Sequence, residues 1–125
     1  SIQMCIQELS TCFQYGLPIK IINLNNAALG MVKQWQDMQY GGRHSSSTYE
    51  NSLPDFCALS ESYGHVGIKV TKLAELESAM NECISLKDKL VFLDVDVDPD
   101  EHVYPMLEAG NAMNSMHLSK DKKTW

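Results

Sequence analysis

The sequence predicts an α/β domain in which a parallel sheet is flanked by helices. Three observations carry that expectation. Strand-sized apolar runs stand near residues 19–24, 66–70 and 89–97, helical spacing of apolar residues fills the stretches between them, and the 125 residues suffice for one compact domain. Strand, helix, strand, helix and strand in this order imply right-handed crossovers, and so a parallel arrangement. The expected division is a sheet-and-helix part over 1–98 and an irregular C-terminal arm over 99–125.

The elements follow in order. Ile2, Ile6, Leu9, Cys12 and Phe13 recur at helical spacing over about residues 2–15. Ser1 can cap that helix and Gly16 can supply the left-handed residue past its end. Pro18 opens the run Ile19-Lys20-Ile21-Ile22-Asn23-Leu24, β-branched and nearly continuous in apolar character, as expected of a parallel strand covered on both faces. Asn25-Asn26 stops it. Met31, Val32, Trp35 and Met38 mark a second helix, with core packing as the first explanation for Met31 and Met38, and residues 41–52 have loop composition. Pro54 fits the first turn of a third helix with Phe56, Leu59 and Tyr63 inward, which Gly64 ends before the strand at 66–70. Leu73, Leu76, Met80, Cys83 and Ile84 define a fourth helix. In the last strand Val91, Leu93, Val95 and Val97 alternate with Asp94, Asp96 and Asp98, the period of a strand with one wet face. Pro105 and Gly110 punctuate the arm, which ends in a polar stretch over 119–125.

Charge and composition narrow the function classes. Sixteen acidic against ten basic residues give a net charge of −6, which repels nucleic-acid phosphates and anionic lipid, so neither nucleic acid nor membrane is an expected partner. With 44% hydrophobic and 21% charged residues the composition is that of an ordinary soluble protein, without a run long enough to span a bilayer. Residues 1–10 lack the features of a signal peptide, and a first residue other than Met gives the chain the look of an excised piece. Cys5, Cys12, Cys57 and Cys83 contain no C-x-x-C pair, so reduced thiols in a cytoplasmic compartment are expected. They and the four histidines lack the spacing of a zinc site.

In an open parallel sheet, ligands sit beyond the carboxyl ends of the strands. There the first strand offers Asn25-Asn26. An amide oxygen and a backbone carbonyl are hard, neutral donors suited to Mg²⁺, although Asn-Asn taken alone reads first as a turn. Asp94, Asp96 and Asp98 read as a solvated strand face rather than a metal site. His65, beside Gly64 and Gly67, has no nucleophile or carboxylate at motif spacing and reads as structural. Arg43 and His44 suggest a carboxylate contact by charge and location alone and carry no assignment.

Several separated blocks agree in order with a known family. Ser1-Ile2-Gln3-Met4, Gln7-Glu8-Leu9, Leu24-Asn25-Asn26, the run from Leu29-Gly30-Met31-Val32 through Lys33-Gln34-Trp35-Gln36, Leu53-Pro54-Asp55-Phe56, Tyr63-Gly64-His65-Val66-Gly67-Ile68 and His102-Val103-Tyr104-Pro105-Met106 are all involved. Together they resemble the C-terminal thiamine-diphosphate-binding domain of the acetohydroxyacid synthase (acetolactate synthase) large catalytic subunit, bacterial biosynthetic type. The family's cofactor motif is Gly-Asp-Gly followed by Asn-Asn, and only its second half lies here, with Ser1 where the residue after Gly-Asp-Gly would stand.

The resemblance implies a ligand set. Asn26 through its side-chain oxygen and Ala28 through its carbonyl would bind Mg²⁺, and the aspartate ligand would lie outside these residues. Ser1 and the first turn of the first helix would face the diphosphate, using helix N–H groups. Leu29, Gly30 and Met31 would line the cofactor, and Trp35 would shape the pocket for the second 2-oxoacid, with helix-core Trp as the alternative. The implied activity is decarboxylative condensation of two pyruvates, or of pyruvate with 2-oxobutyrate, in isoleucine, valine and leucine biosynthesis. No catalytic residue is expected within the chain, because the family's activating glutamate comes from a partner subunit. FAD belongs mainly to a middle domain. A dimer or tetramer of large subunits, a small regulatory subunit and an inactive isolated fragment are further implications, and the family's counterpart of residues 102–110 is an arm that can fold over the active site. Competing readings are a non-catalytic α/β binding or assembly module, and a pyruvate oxidase or glyoxylate carboligase.

Overall fold

The computed structural model describes residues 1–49, 51–119 and 122–123. The chain forms two compact units, residues 1–26 with 51–97 and residues 27–50 with 98–125. Of the polar stretch at 119–125, residues 120, 121, 124 and 125 lie outside the described residues, and the arm over 99–125 falls in the second unit together with 27–50.

The first unit holds the sheet. Strands β1 (Lys20–Asn25), β2 (Val66–Val70) and β3 (Val91–Asp96) are all parallel, in the order β1-β3-β2. Lys20 and Val66 both register with Val91, and Asn25 lies opposite Asp96. Helices α1 (Glu8–Gln14), α3 (Phe56–Ser62) and α4 (Leu73–Ser85) belong to this unit. The expected parallel sheet with flanking helices is therefore present.

β3 is central and wholly buried from Val91 to Val95, because it alone has a strand on each side. One face of the sheet meets α4 through Val70, Ala79, Cys83, Val91, Leu93 and Val95, with Leu76 and Met80 packed against them. Leu73 and Ile84, expected in the same stripe, are exposed; they lie off the face that α4 turns to β2 and β3. On the other side Phe56 of α3 stacks on Phe92 with ring centroids 6.0 Å apart. Cys57 comes so close to Gly67 that only a residue without a side chain fits. Asp55 caps α3, its carboxylate accepting from the Ala58 N–H at 3.0 Å, so Pro54 stands just before the cap rather than in the first turn.

Three expectations change here. The first helix is not continuous over 2–15: a 3-10 turn at Ile2–Met4 ends at Cys5 (φ −128°, ψ 17°), and α1 begins only at Glu8. Ser1 makes no side-chain cap, and the β-branched Ile2 and Ile6 give the first turns little helix preference of their own. β1 is covered on one face only, since Ile22 and Leu24 are exposed. Asp94 is not solvated but buried: it sits at the middle of the central strand, and its carboxylate accepts from Asn23 Nδ2 at 2.6 Å and Lys69 Nζ at 2.7 Å. Pairing with an ammonium group and two carboxamides is what makes a buried carboxylate tolerable.

The second unit contains helix α2 (Gly30–Gln39), a bridge between Ala28 and Thr48, the segment from 98 onward and the small antiparallel pair β4 (His117–Ser119) and β5 (Lys122–Lys123). Core packing holds in part for Met38, which is half-buried, and fails for Met31. Met31 and Val32 are exposed, whereas Lys33 and Gln34 are buried. Directed polar contacts to residues 98–103, not apolar burial, decide which side faces inward.

Candidate functional site

β1 delivers two asparagines to its carboxyl end. Asn25 is still part of the sheet: its carbonyl accepts from the Val97 N–H at 3.0 Å and its carboxamide reaches Asp94 at 3.4 Å. Asn26 follows the strand and is half-buried. Cys57, Lys69 and Asp94 line a polar depression with Asn25, where burial, then the Asp94 charge, pushes the Cys57 thiol upward. That direction makes Cys57 a poor nucleophile. His65 is structural as expected, bonded through Nε2 to the Leu9 carbonyl at 2.8 Å and set edge-on to Phe13.

The second unit begins with a strained turn. Ala27 has φ +51°, a left-handed conformation that a residue with a Cβ adopts only when its surroundings impose it. The imposing contacts are an antiparallel bridge: the Tyr49 N–H donates to the Ala27 carbonyl at 2.9 Å, and the Leu29 N–H to the Ser47 carbonyl at 2.8 Å. These bonds flank Ala28 and Thr48, which makes them a non-hydrogen-bonded pair, so the N–H and C=O of Ala28 point away from the Thr48 segment. An alanine can thus present a carbonyl oxygen where its side chain could offer nothing. Gly30 and Met31 then start α2, with Lys33 N–H on the Leu29 carbonyl at 2.9 Å.

Trp35 is half-buried and lines an open pocket with Val32, Gln36, Tyr40, Arg43 and Ser45. Gln36 supports the pocket wall by donating to the Ser45 carbonyl at 3.1 Å and accepting from the buried Ser47 hydroxyl. Arg43 donates through Nε to the Tyr40 carbonyl at 3.1 Å. On the other side of α2, Asp37 gathers three partners: Lys33 at 2.9 Å, His44 at 2.6 Å and His102 at 3.0 Å. Burial raises the pKa of Asp37, but hydrogen bonds from Lys33 and His44 and the Lys33 charge reverse that and hold it at about 2. Lys33 is raised, chiefly by its bond to Asp100.

The predicted site residues are placed as follows. Ser1, exposed and without a side-chain cap bond, and Asn26 belong to the first unit; Ala28, Leu29, Gly30, Met31 and Trp35 follow one another along the second. Lys33, Gln34 and His102 entered the sequence reading as members of matching blocks, Ser47 only within the loop stretch and Asp37 not at all; none was given a role. The spacing of Lys33 and Asp37, i and i+4, was the available signal for an ion pair; nothing local marked Gln34 as buried. A carboxamide oxygen and a backbone carbonyl, the groups that Asn26 and Ala28 carry, are by chemistry the hard, neutral kind of donor that a Mg²⁺-diphosphate group accepts.

A parallel sheet whose first strand runs through paired asparagines into an imposed turn and a helix start has the form of a cofactor-binding α/β module. Residues 1–95 match the family described as "Thiamine pyrophosphate enzyme, C-terminal TPP binding domain", and the chain belongs to that family. It is 64% identical over 123 residues to an acetolactate synthase large subunit of Haemophilus influenzae, covering 98% of this chain and 21% of that protein. It is 58% identical over 126 residues to the acetolactate synthase isozyme 3 large subunit of Escherichia coli, with coverages of 99% and 22%. The chain therefore spans about a fifth of the length of the curated relatives it matches. Among solved structures, the thiamine diphosphate-dependent 4-hydroxybenzoylformate decarboxylase of Rhodococcus jostii RHA1 superposes with a TM-score of 0.68 at 24% identity, over 78% of this chain and 18% of that one, a likeness of fold.

Proposed function

We propose that the chain is the C-terminal cofactor-binding part of an acetolactate synthase large subunit. The observation that carries this is 64% identity across nearly the whole chain to such a subunit. The full polypeptide would condense two pyruvates, or pyruvate with 2-oxobutyrate, with loss of CO₂, in the cytoplasm. Oligomerisation, a small regulatory subunit and FAD belong to the same reading. Among the described residues no helix is long and apolar enough to cross a membrane.

Asn26 and Ala28 would hold Mg²⁺, with Ser1, Leu29, Gly30 and Met31 along thiamine diphosphate. When bound, that cofactor supplies an electron sink for the carbanion left by decarboxylation. The chain's own contribution is placement. The left-handed Ala27 turns the Ala28 carbonyl away from Thr48, and Gly30 lets backbone come close to a ligand. Trp35 offers a flat apolar wall that rewards one additional methylene on the second 2-oxoacid by about 1–3 kcal/mol.

The test is Asn26→Ala in the full-length enzyme. Thiamine diphosphate and Mg²⁺ binding, followed by calorimetry, should weaken at least tenfold while the thermal midpoint of the apoprotein stays within about 2 °C, since Asn26 lies outside the strand ladder. Unchanged cofactor affinity refutes the ligand assignment.

A further inference from the structure

Helix α2 is oriented by a different force from the helices of the sheet unit. Its buried residues are Lys33 and Gln34, while Met31 and Val32 are each 46% exposed. Apolar contact is non-directional and tolerates a helix rolling about its own axis; hydrogen bonds have a preferred direction and do not. Three such contacts join α2 to residues 98–103. Lys33 Nζ meets Asp100 Oδ1 at 2.7 Å, and His102 Nε2 meets Asp37 Oδ2 at 3.0 Å. Between them Gln34 makes a double contact with one residue: its Nε2 donates to the Val103 carbonyl and its Oε1 accepts from the Val103 N–H, both at 2.9 Å. The carboxamide thereby takes the part that a neighbouring strand's peptide group would play. Gln34 is 1% exposed, so water cannot replace it without movement of the chain.

Lys33 and Asp37 lie on the side of α2 turned from Met31 and Trp35, which are one turn apart, i and i+4, on a common face. We infer that Gln34 is a positioning residue, whose clamp on the Val103 backbone fixes the roll of α2 and through it the stance of Met31 and Trp35. This inference rests on the reading of Trp35 as the wall for the second 2-oxoacid. The lever is short. Side-chain tips stand about 5–6 Å from a helix axis, so a roll of about 20° moves the Trp35 ring by about 2 Å. A displacement of about 1 Å at a reacting centre changes rates by up to about 100-fold. Without the carboxamide, the N–H and C=O of Val103 must find other partners, which requires residues 98–103 to lift toward solvent or α2 to turn.

The experiment uses the full-length holoenzyme with Gln34→Ala and Gln34→Glu. The glutamate variant keeps an acceptor for the Val103 N–H and loses the donor to its carbonyl. Amide hydrogen exchange over residues 98–106, the acetohydroxybutyrate-to-acetolactate ratio under competing 2-oxobutyrate and pyruvate, and the thiamine diphosphate Kd are measured together. Gln34→Ala should speed exchange at Val103 at least tenfold and shift the product ratio toward acetolactate about tenfold, with Kd changed less than about threefold; Gln34→Glu should fall between it and the parent. Faster exchange with an unaltered ratio overturns the positioning role, and unaltered exchange overturns the clamp. If Gln34→Ala does not fold, Asp100→Asn, at a side chain 66% exposed, loosens the same segment, and a ratio identical to the parent's then overturns the inference. A parent enzyme that forms no acetohydroxy acid defeats the functional reading instead, and is distinguished by exchange at Val103 still responding to Gln34.

Discussion

Gly67→Ala tests how tightly α3 is seated on the sheet. A Cβ at this position would stand 2.7 Å from both Cα and Cβ of Cys57 and 2.8 Å from the Cys57 carbonyl oxygen. Carbon atoms pack comfortably at about 3.5–4.0 Å, so α3 must retreat by about 1 Å. Two of the three opposing atoms are backbone, and no rotamer of Cys57 relieves them. The retreat also parts Phe56 from Phe92, stacked at 6.0 Å. Overpacking of this kind costs about 1–3 kcal/mol and a weakened aromatic pair about 0.5–1 kcal/mol, offset by about 0.4–1 kcal/mol from the stiffer unfolded chain. The expected net loss is about 2 kcal/mol. With a urea slope of about 1–3 kcal/mol/M, the midpoint of the transition that unfolds the sheet falls by about 1 M. Circular dichroism in urea measures it, with hydrogen exchange over Phe56–Ser62 reporting the local loosening. Adding Cys57→Gly removes one of the three clashes and should recover part of the loss. A midpoint equal to the parent's would show that α3 is not held against β2 as described.

Two further outcomes are expected. Asp37 ionises in the folded chain at about 2 rather than its ordinary 3.8, so its contribution is complete above about pH 5 and disappears as the pH falls from 4 toward 2. The parent should therefore lose about 2 kcal/mol more stability than Asp37→Asn across that window, and acid unfolding curves of equal slope for the two proteins rule the network out. On the proposed acetolactate synthase function, Trp35→Leu in the full-length polypeptide should reduce the preference for 2-oxobutyrate over pyruvate about tenfold, and an unaltered product ratio refutes the proposed role of Trp35.

How much of this was legible depended on which force fixed each element. Where apolar burial decides, periodicity read correctly: the strand at Val66–Val70 and the packing of Leu76, Met80 and Cys83 of α4 match expectation. Glycine punctuation also held, with Gly16 and Gly64 both in the left-handed region. The reading failed where polar pairing decides. Asp94 alternates with valines and so looked wet, but the ammonium group of Lys69 and the carboxamides of Asn23 and Asn25 that make its burial tolerable come from the two strands beside β3 in the sheet. Met31 looked like a core residue, yet α2 turns inward the residues that bond Asp100 and Val103, some seventy positions away. A hydrophobic pattern carries no record of such distant partners. The Asn26 and Ala28 proposal came from resemblance; Ala27's left-handed turn adds a reason for the spacing that no pattern in the sequence announces.

The two outer strands of the sheet also differ in how they would meet another chain. β2 carries Lys69 with its ammonium group among carboxylates, a charge that discourages further strands from pairing there. On β1 the lysine at its start is folded back onto the Leu86 and Lys89 carbonyls, and Ile22 and Leu24, 48% and 66% exposed, form an oily ribbon along an outermost strand. Cut free at high concentration, this polypeptide is poised to stick to its own kind through that ribbon, and a charged residue in place of Leu24 is the natural remedy for a preparation that clouds.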